Sequence, residues 1–177
     1  RRRVSERVGA SGEVVRAPTE ADIKAVVDAV MAADADACAI GFLFGFRNPA
    51  HEQQVAAAFR ARGASMPLSL SSEVQPEFRE YERLSTTVLN AYLQPLMGQY
   101  LHTLEQGVRA QAPNATLGIN QSSGGLMSSQ RARALPVRTA LSGPAAGAVG
   151  AAHVAQQTGR RNVITLDMGG TSADVAL

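Results

Sequence analysis

Apolar residues in the first 75 positions arrive in two rhythms, one continuous or alternating and one spaced by three to four. GEVVR, residues 12–16, is a short strand candidate. In the following PTEADIKAVVDAVMAAD, Ile23, Val26, Val27 and Val30 fall on one helix face. Thr19 stands at the N-cap with Asp22 three residues on, so each can satisfy a backbone amide of the other. DACAIGFLFGF is almost unbroken apolar, as in a parallel strand covered on both faces. RNPAHEQQVAAAFRARG predicts a helix with Asn48 as cap, Pro49 at the first position and Gly63 as stop. MPLSLSS is a third short strand, and strand–helix–strand–helix–strand predicts an α/β layer.

The rhythm changes over residues 76–112. Tyr81, Leu84, Val88, Tyr92, Leu96, Tyr100 and Leu104 recur at helical spacing, and Pro95 is expected to kink the helix or start a new one. From residue 113 onward, ATLGINQSSGG reads as a strand entering a glycine turn, with a short helix at SSQRARAL. LSGPAAGAVGAAHVAQQTG then predicts a helix of Ala, Gly and Val, opened by Pro144 and closed near Gly159. The chain is thus divided at the sequence level into 1–75, a helical connector 76–112, and 113–177.

Composition narrows the function classes. Aromatic residues make up 5% of the 177, and three positives of the +2 net charge are Arg1, Arg2 and Arg3. A nucleic-acid surface needs a basic face with stacking aromatics, and the pattern offers neither. No apolar run reaches the ~20 residues of a membrane span. The start is not a signal peptide, so the cytoplasm is the default expectation. Cys38 is the only cysteine, which leaves no intrachain disulfide and favours a small core residue over a nucleophile.

The chemistry concentrates in NVITLDMGGTSADVAL. Asp167 ends an apolar strand, where open α/β sheets bind ligands. Gly169 and Gly170 let main-chain N–H groups approach an anion, Thr171 and Ser172 add hydroxyls, and Asp174 begins the returning strand. Taken alone, the stretch reads more readily as a plain glycine turn than as a phosphate site. The preceding helix adds weight to a phosphate site. Gly143, Gly147 and Gly150, with Ala146 beside them, admit a close backbone neighbour, and the Gly143-Pro144 start offers amides to an anion.

This order of small-residue helix, strand, Asp, Gly-Gly, hydroxyls and Asp resembles the second phosphate motif of the actin, sugar-kinase and heat-shock chaperone ATPase superfamily. LSGPAAGAVGAA with DMGGTSADVAL, together with FRNPAHE, SSEVQPEFREYERLSTTVLNAYLQP and NQSSGGLMSS, is similar to the hydantoinase A / 5-oxoprolinase family. The resemblance runs from about residue 13 to the end. It implies an α/β chain on an actin-like (ribonuclease H-like) scaffold, with a mixed sheet and flanking helices. It also implies a subunit that couples ATP hydrolysis to opening a cyclic amide such as a hydantoin or 5-oxoproline.

Carried onto this chain, the resemblance makes Asp167 the residue that orients Mg²⁺ and its waters. Gly169, Gly170 and Thr171 would contact phosphates, with Asp174 and Gly143 completing the nucleotide site. Ser172 would position a water, and Ala173 replaces a Thr common in the family. A second hydantoinase-type subunit or domain is the expected partner. Two alternatives stay open: an ATP-dependent acetone or acetophenone carboxylase subunit, and a non-catalytic nucleotide-binding module. The matching first phosphate hairpin, DVGGTFTD-like, is not in this sequence, so the expectation is an internal fragment, inactive alone, with exposed apolar surface and a tendency to dimerise.

The remaining candidates read as structural. HEQQV lacks the second His of a zinc motif, because Val55 stands there, and His51, His102 and His153 each have ordinary explanations. Glu80 and Arg83 can pair at i, i+3 on what is normally a solvated face. A substrate-side or interdomain role for residues 77–87 stays open. Asn120, Gln121 and Ser122 are expected either to line a cleft or to cap the next helix.

Overall fold

The computed structural model describes residues 1–170 and 172–177, in two compact units, Arg1–Leu96 and Met97–Leu177.

In the first unit, β1 (Arg7–Val8) and β2 (Val14–Arg16) form an antiparallel ribbon. Next come α1 (Glu20–Met31), β3 (Cys38–Ile40), α2 (Ala50–Ala61), β4 (Leu68–Leu70) and the one-turn α3 (Ser71–Val74). β3 and β4 pair in parallel with Cys38, Ala39 and Ile40 opposite Leu68, Ser69 and Leu70, the βαβ arrangement the alternating pattern predicts. The α1 cap is the expected box: Thr19 accepts from the Asp22 amide at 3.1 Å while Asp22 reaches back to the Thr19 backbone. α2 starts one residue later than expected, with Pro49 at the N-cap and Asn48 just before it accepting from the Ala50 amide; Gly63 follows the helix end at a φ of 76°. Ile23 and Val27 of α1, Ile40, Leu70, and Val55, Ala56 and Phe59 of α2 make the core. Each large side chain there contributes roughly 1.5–3 kcal/mol by leaving water.

Three expectations change. The strand over 36–46 shortens to Cys38–Ile40 because the chain turns at 43–47, with Phe44 at a φ of 57°. The 12–16 strand pairs with β1, which the sequence pattern missed, and not with β3. No new helix begins at Pro95: α4 (Glu80–Gln111) runs through it.

α4 also turns its faces unexpectedly. Tyr81, Tyr92 and Leu96 of the periodic apolar set are 82%, 78% and 71% exposed, while Arg83, Thr87, Asn90 and Gln94 are buried.

In the second unit, β5 (Gly118–Asn120) and β6 (Leu126–Ser128) form a hairpin around Gly124 and Gly125, both at positive φ. α5 (Ser129–Ala134) follows, capped by Ser128, and then a 3₁₀ turn (Pro136–Thr139). α6 (Ser142–Gln157) precedes a second hairpin of β7 (Thr165–Met168) and β8 (Ala173–Ala176). Leu101, Met127 and Ala132 form the small core of this unit. The fold is α/β throughout, with one parallel and three antiparallel strand pairs among the described residues. Among them, no helix is long and apolar enough to cross a membrane.

Candidate functional site

β7 and β8 place the acidic pair. Thr165 faces Ala176, Leu166 faces Val175, Asp167 faces Asp174 and Met168 faces Ala173. Directly opposed residues of antiparallel strands project to the same side, so both carboxylates share one face of the hairpin. Ser172 Oγ lies 3.4 Å from Asp174 Oδ2. α6 packs on β7, and a Cβ built at Gly147 would stand 3.5 Å from Asp167 Oδ2. The helix backbone therefore sits directly beside the first aspartate.

The tip is shaped by its glycines. The Gly169 amide donates to the Ser172 carbonyl at 2.9 Å and closes the turn, so what Gly169 offers an incoming anion is its missing side chain. A Cβ at Gly170 would meet nothing within 4 Å among the described residues. Thr171, expected to contact phosphate, lies outside the described residues. Gly143 is the second residue of α6, whose start has no side-chain cap and follows Leu141 in the left-handed region. The hairpin and α6 thus bring Asp167, Asp174, Ser172 and Gly147 together, while a Cβ at Gly143 would meet nothing within 4 Å among the described residues.

Two like charges facing each other across strands are destabilising without a counter-ion. Mg²⁺ is held by one or two carboxylates plus substrate phosphates, and the Asp167–Asp174 pair beside Gly169 and Gly170 fits that donor set. Among the described residues, no group of three or more His, Cys, Asp or Glu could hold a metal by itself.

The first unit contains a polar cluster that sequence reasoning underrated. Glu52, 0% exposed, accepts from the Phe42 amide and the Ser71 hydroxyl through Oε1, and from the Ser72 amide and hydroxyl through Oε2, at 2.6–3.1 Å. Arg83, also 0% exposed, donates to the Phe42 and Glu77 carbonyls at 2.9 Å and to Ser71 Oγ at 3.2 Å. Ser71 therefore bridges carboxylate and guanidinium. Arg83 also pairs with Glu80 at 3.4 Å and lies over the Phe46 ring. Burial raises the Glu80 carboxyl, but the Phe44 and Glu80 amides and Arg83 outweigh it and hold it below the usual range. The i, i+3 pair is present as expected, yet Arg83 is interior where a solvated face was predicted. The missed signal was range: Ser71 and Phe42 are 12 and 41 residues from Arg83.

The other candidates resolve simply. His51 Nδ1 and Glu6 Oε2 form a buried pair at 2.7 Å, and His102 and His153 contact glutamines on their own helices. Ser122 Oγ bonds the Arg138 and Ala140 carbonyls, tying the β5–β6 turn to the segment before α6; α5 is capped by Ser128 instead. Burial pushes the Cys38 thiol up, away from a thiolate nucleophile.

With both units described, their lineage follows from two matches. The hydantoinase/oxoprolinase family model matches residues 83–177, and the hydantoinase/oxoprolinase N-terminal region matches 1–63. The chain belongs to the hydantoinase/oxoprolinase family. It is 39% identical over 180 residues to the caprolactamase subunit alpha of Pseudomonas jessenii, covering 100% of this chain and 25% of that one. The crystal structure of that ATP-dependent caprolactamase superposes with a TM-score of 0.79 at 35% identity, over 97% of this chain and 25% of that chain. A nucleotide-free acetone carboxylase gives 0.80 at 28% identity, over 98% and 25%. The 5-oxoprolinase of Saccharomyces cerevisiae is 34% identical over 95% of this chain and 13% of its own. This hydantoinase/oxoprolinase chain therefore spans a quarter or less of the relatives it matches, several of which are subunits of larger enzymes.

Proposed function

We propose that this chain supplies one phosphate-binding half of an ATP-dependent enzyme that opens a cyclic amide. The observation that carries the nucleotide reading is the Asp167–Asp174 pair, opposed on one face of a glycine hairpin with α6 against it. The substrate class is supported by two relatives named for lactam substrates, a caprolactamase and a 5-oxoprolinase.

When bound, MgATP would supply phosphoryl activation of the amide carbonyl. Asp167 would hold and orient the metal through its hydration shell, with Asp174 providing the second negative charge on that face. The tip at Gly169 and Gly170 would let phosphate oxygens approach the backbone, with Thr171 and Ser172 as hydroxyl donors. Ser172 Oγ donates to Asp174 Oδ2 at 3.4 Å, and turning that one proton outward would let it serve a water or a phosphate oxygen. The α6 start, including Gly143, adds the positive end of a helix dipole. Stabilising charge on the transferring phosphoryl group is the main service a protein gives this chemistry.

A carboxylase reading is favoured by the acetone carboxylase superposition, which matches as well as that of the caprolactamase. The test separates them. Phosphate release by the full-length protein is followed with MgATP plus hydantoin, 5-oxoproline, caprolactam, or acetone with bicarbonate. Stimulation by one of the cyclic amides without bicarbonate is the expected result. Stimulation only by acetone with bicarbonate replaces the hydrolase reading, and binding of nucleotide with no stimulation by any of them favours a non-catalytic module.

A further inference from the structure

Resting on the nucleotide reading of the β7–β8 hairpin, we infer that Gly147 is the residue that positions Asp167, by letting the α6 backbone stand against its carboxylate. Of the three helix glycines in α6, only Gly147 has a neighbour of this kind among the described residues. A Cβ there would be 3.5 Å from Asp167 Oδ2, whereas one at Gly143 or Gly150 would meet nothing within 4 Å among the described residues. The three glycines, which look equivalent in sequence, are therefore inequivalent in space.

Asp167 needs such a restraint. Asp167 is exposed and Asp174 half-buried, and their directly opposed positions push the two carboxylates apart. A carboxylate free to rotate away from its like-charged neighbour would hold a cation poorly. The helix wall closes off one side and leaves the carboxylate on the hairpin face it shares with Asp174. A methyl group at position 147 fits at ordinary van der Waals distance, and a longer side chain directed along the same line would displace Asp167 or push α6 off β7. Gly147 is thus a positioning residue, touching neither metal nor nucleotide.

The experiment measures Mn²⁺ binding by electron paramagnetic resonance in the full-length protein, with a non-hydrolysable ATP analogue present. The variants are Gly147→Ala, Gly147→Val, Gly147→Leu, Gly150→Leu and Asp167→Asn, with folding of each followed by circular dichroism. Gly147→Leu is expected to weaken Mn²⁺ binding about tenfold or more, the size seen when groups that orient a metal ligand are lost. Gly147→Ala and Gly150→Leu should bind within about twofold of wild type, below the tenfold floor for such losses. If Gly147→Leu does not fold, Gly147→Val carries the same expectation with a smaller intrusion. Wild-type Mn²⁺ affinity in folded Gly147→Leu or Gly147→Val, alongside loss in Asp167→Asn, overturns the role of Gly147 alone. Unchanged binding in Asp167→Asn overturns the nucleotide reading beneath it.

Discussion

At the residue scale, the two important carboxylates of this chain live in opposite conditions. Asp167 is exposed and shares a face with Asp174, an arrangement that costs stability unless a cation joins it. Glu52 is fully buried and completely satisfied by four donors, so it acts as a rivet between the start of α2, the turn after β3 and the start of α3. Removing one member of such a buried charged network leaves the others desolvated and unpaired. Glu52→Ala is therefore expected to destabilise the first unit by about 3–5 kcal/mol, measurable by urea unfolding. A cost below ~1 kcal/mol, typical of an exposed ion pair, would show that the cluster is not interior. Gly45 supports the same rivet, since a Cβ there would run into Glu52 Oε1. None of this was legible from local pattern, because Glu in a helix's first turn already has an ordinary explanation in the dipole.

At the element scale, capping and spacing were legible and faces were not. Thr19 with Asp22 and Gly63 marked helix ends that the structure reproduces, and Asn48-Pro49 marked the start of α2 to within one residue, because those signals depend only on neighbours in the chain. α4 shows the limit. Its apolar period is real, but Arg83, Thr87 and Asn90 point inward and Tyr81 and Tyr92 outward. Periodicity reports that a helix has two faces; which one the rest of this chain covers depends on distant partners such as Ser69 and Ser71. Pro95 is the other case. A proline inside a helix removes one hydrogen bond and crowds the carbonyl four residues earlier, here Ala91, without ending a helix held on both sides. Amide exchange should accordingly show its weakest protection within the interior of α4 around residues 92–96, and uniform protection through Pro95 would contradict that.

At the scale of the whole molecule, the order of small-residue helix, strand, Asp, Gly-Gly and Asp was readable because it is a contiguous motif. Its geometry was readable only in part. The sequence suggested three equivalent glycines in α6, and the fold makes one of them a neighbour of Asp167. Leu166, Met168 and Val175 of the hairpin are exposed, as are the tyrosines of α4, in a chain that covers a quarter of its caprolactamase relative. The activity proposed above is one of the full-length protein, and its central claim is that Asp167 serves a bound nucleotide there. The direct test is MgATP-dependent phosphate release by full-length wild type and Asp167→Asn, with folding checked for both. The account predicts release at background in Asp167→Asn with the fold intact; release equal to wild type would make the hairpin a turn and contradict it.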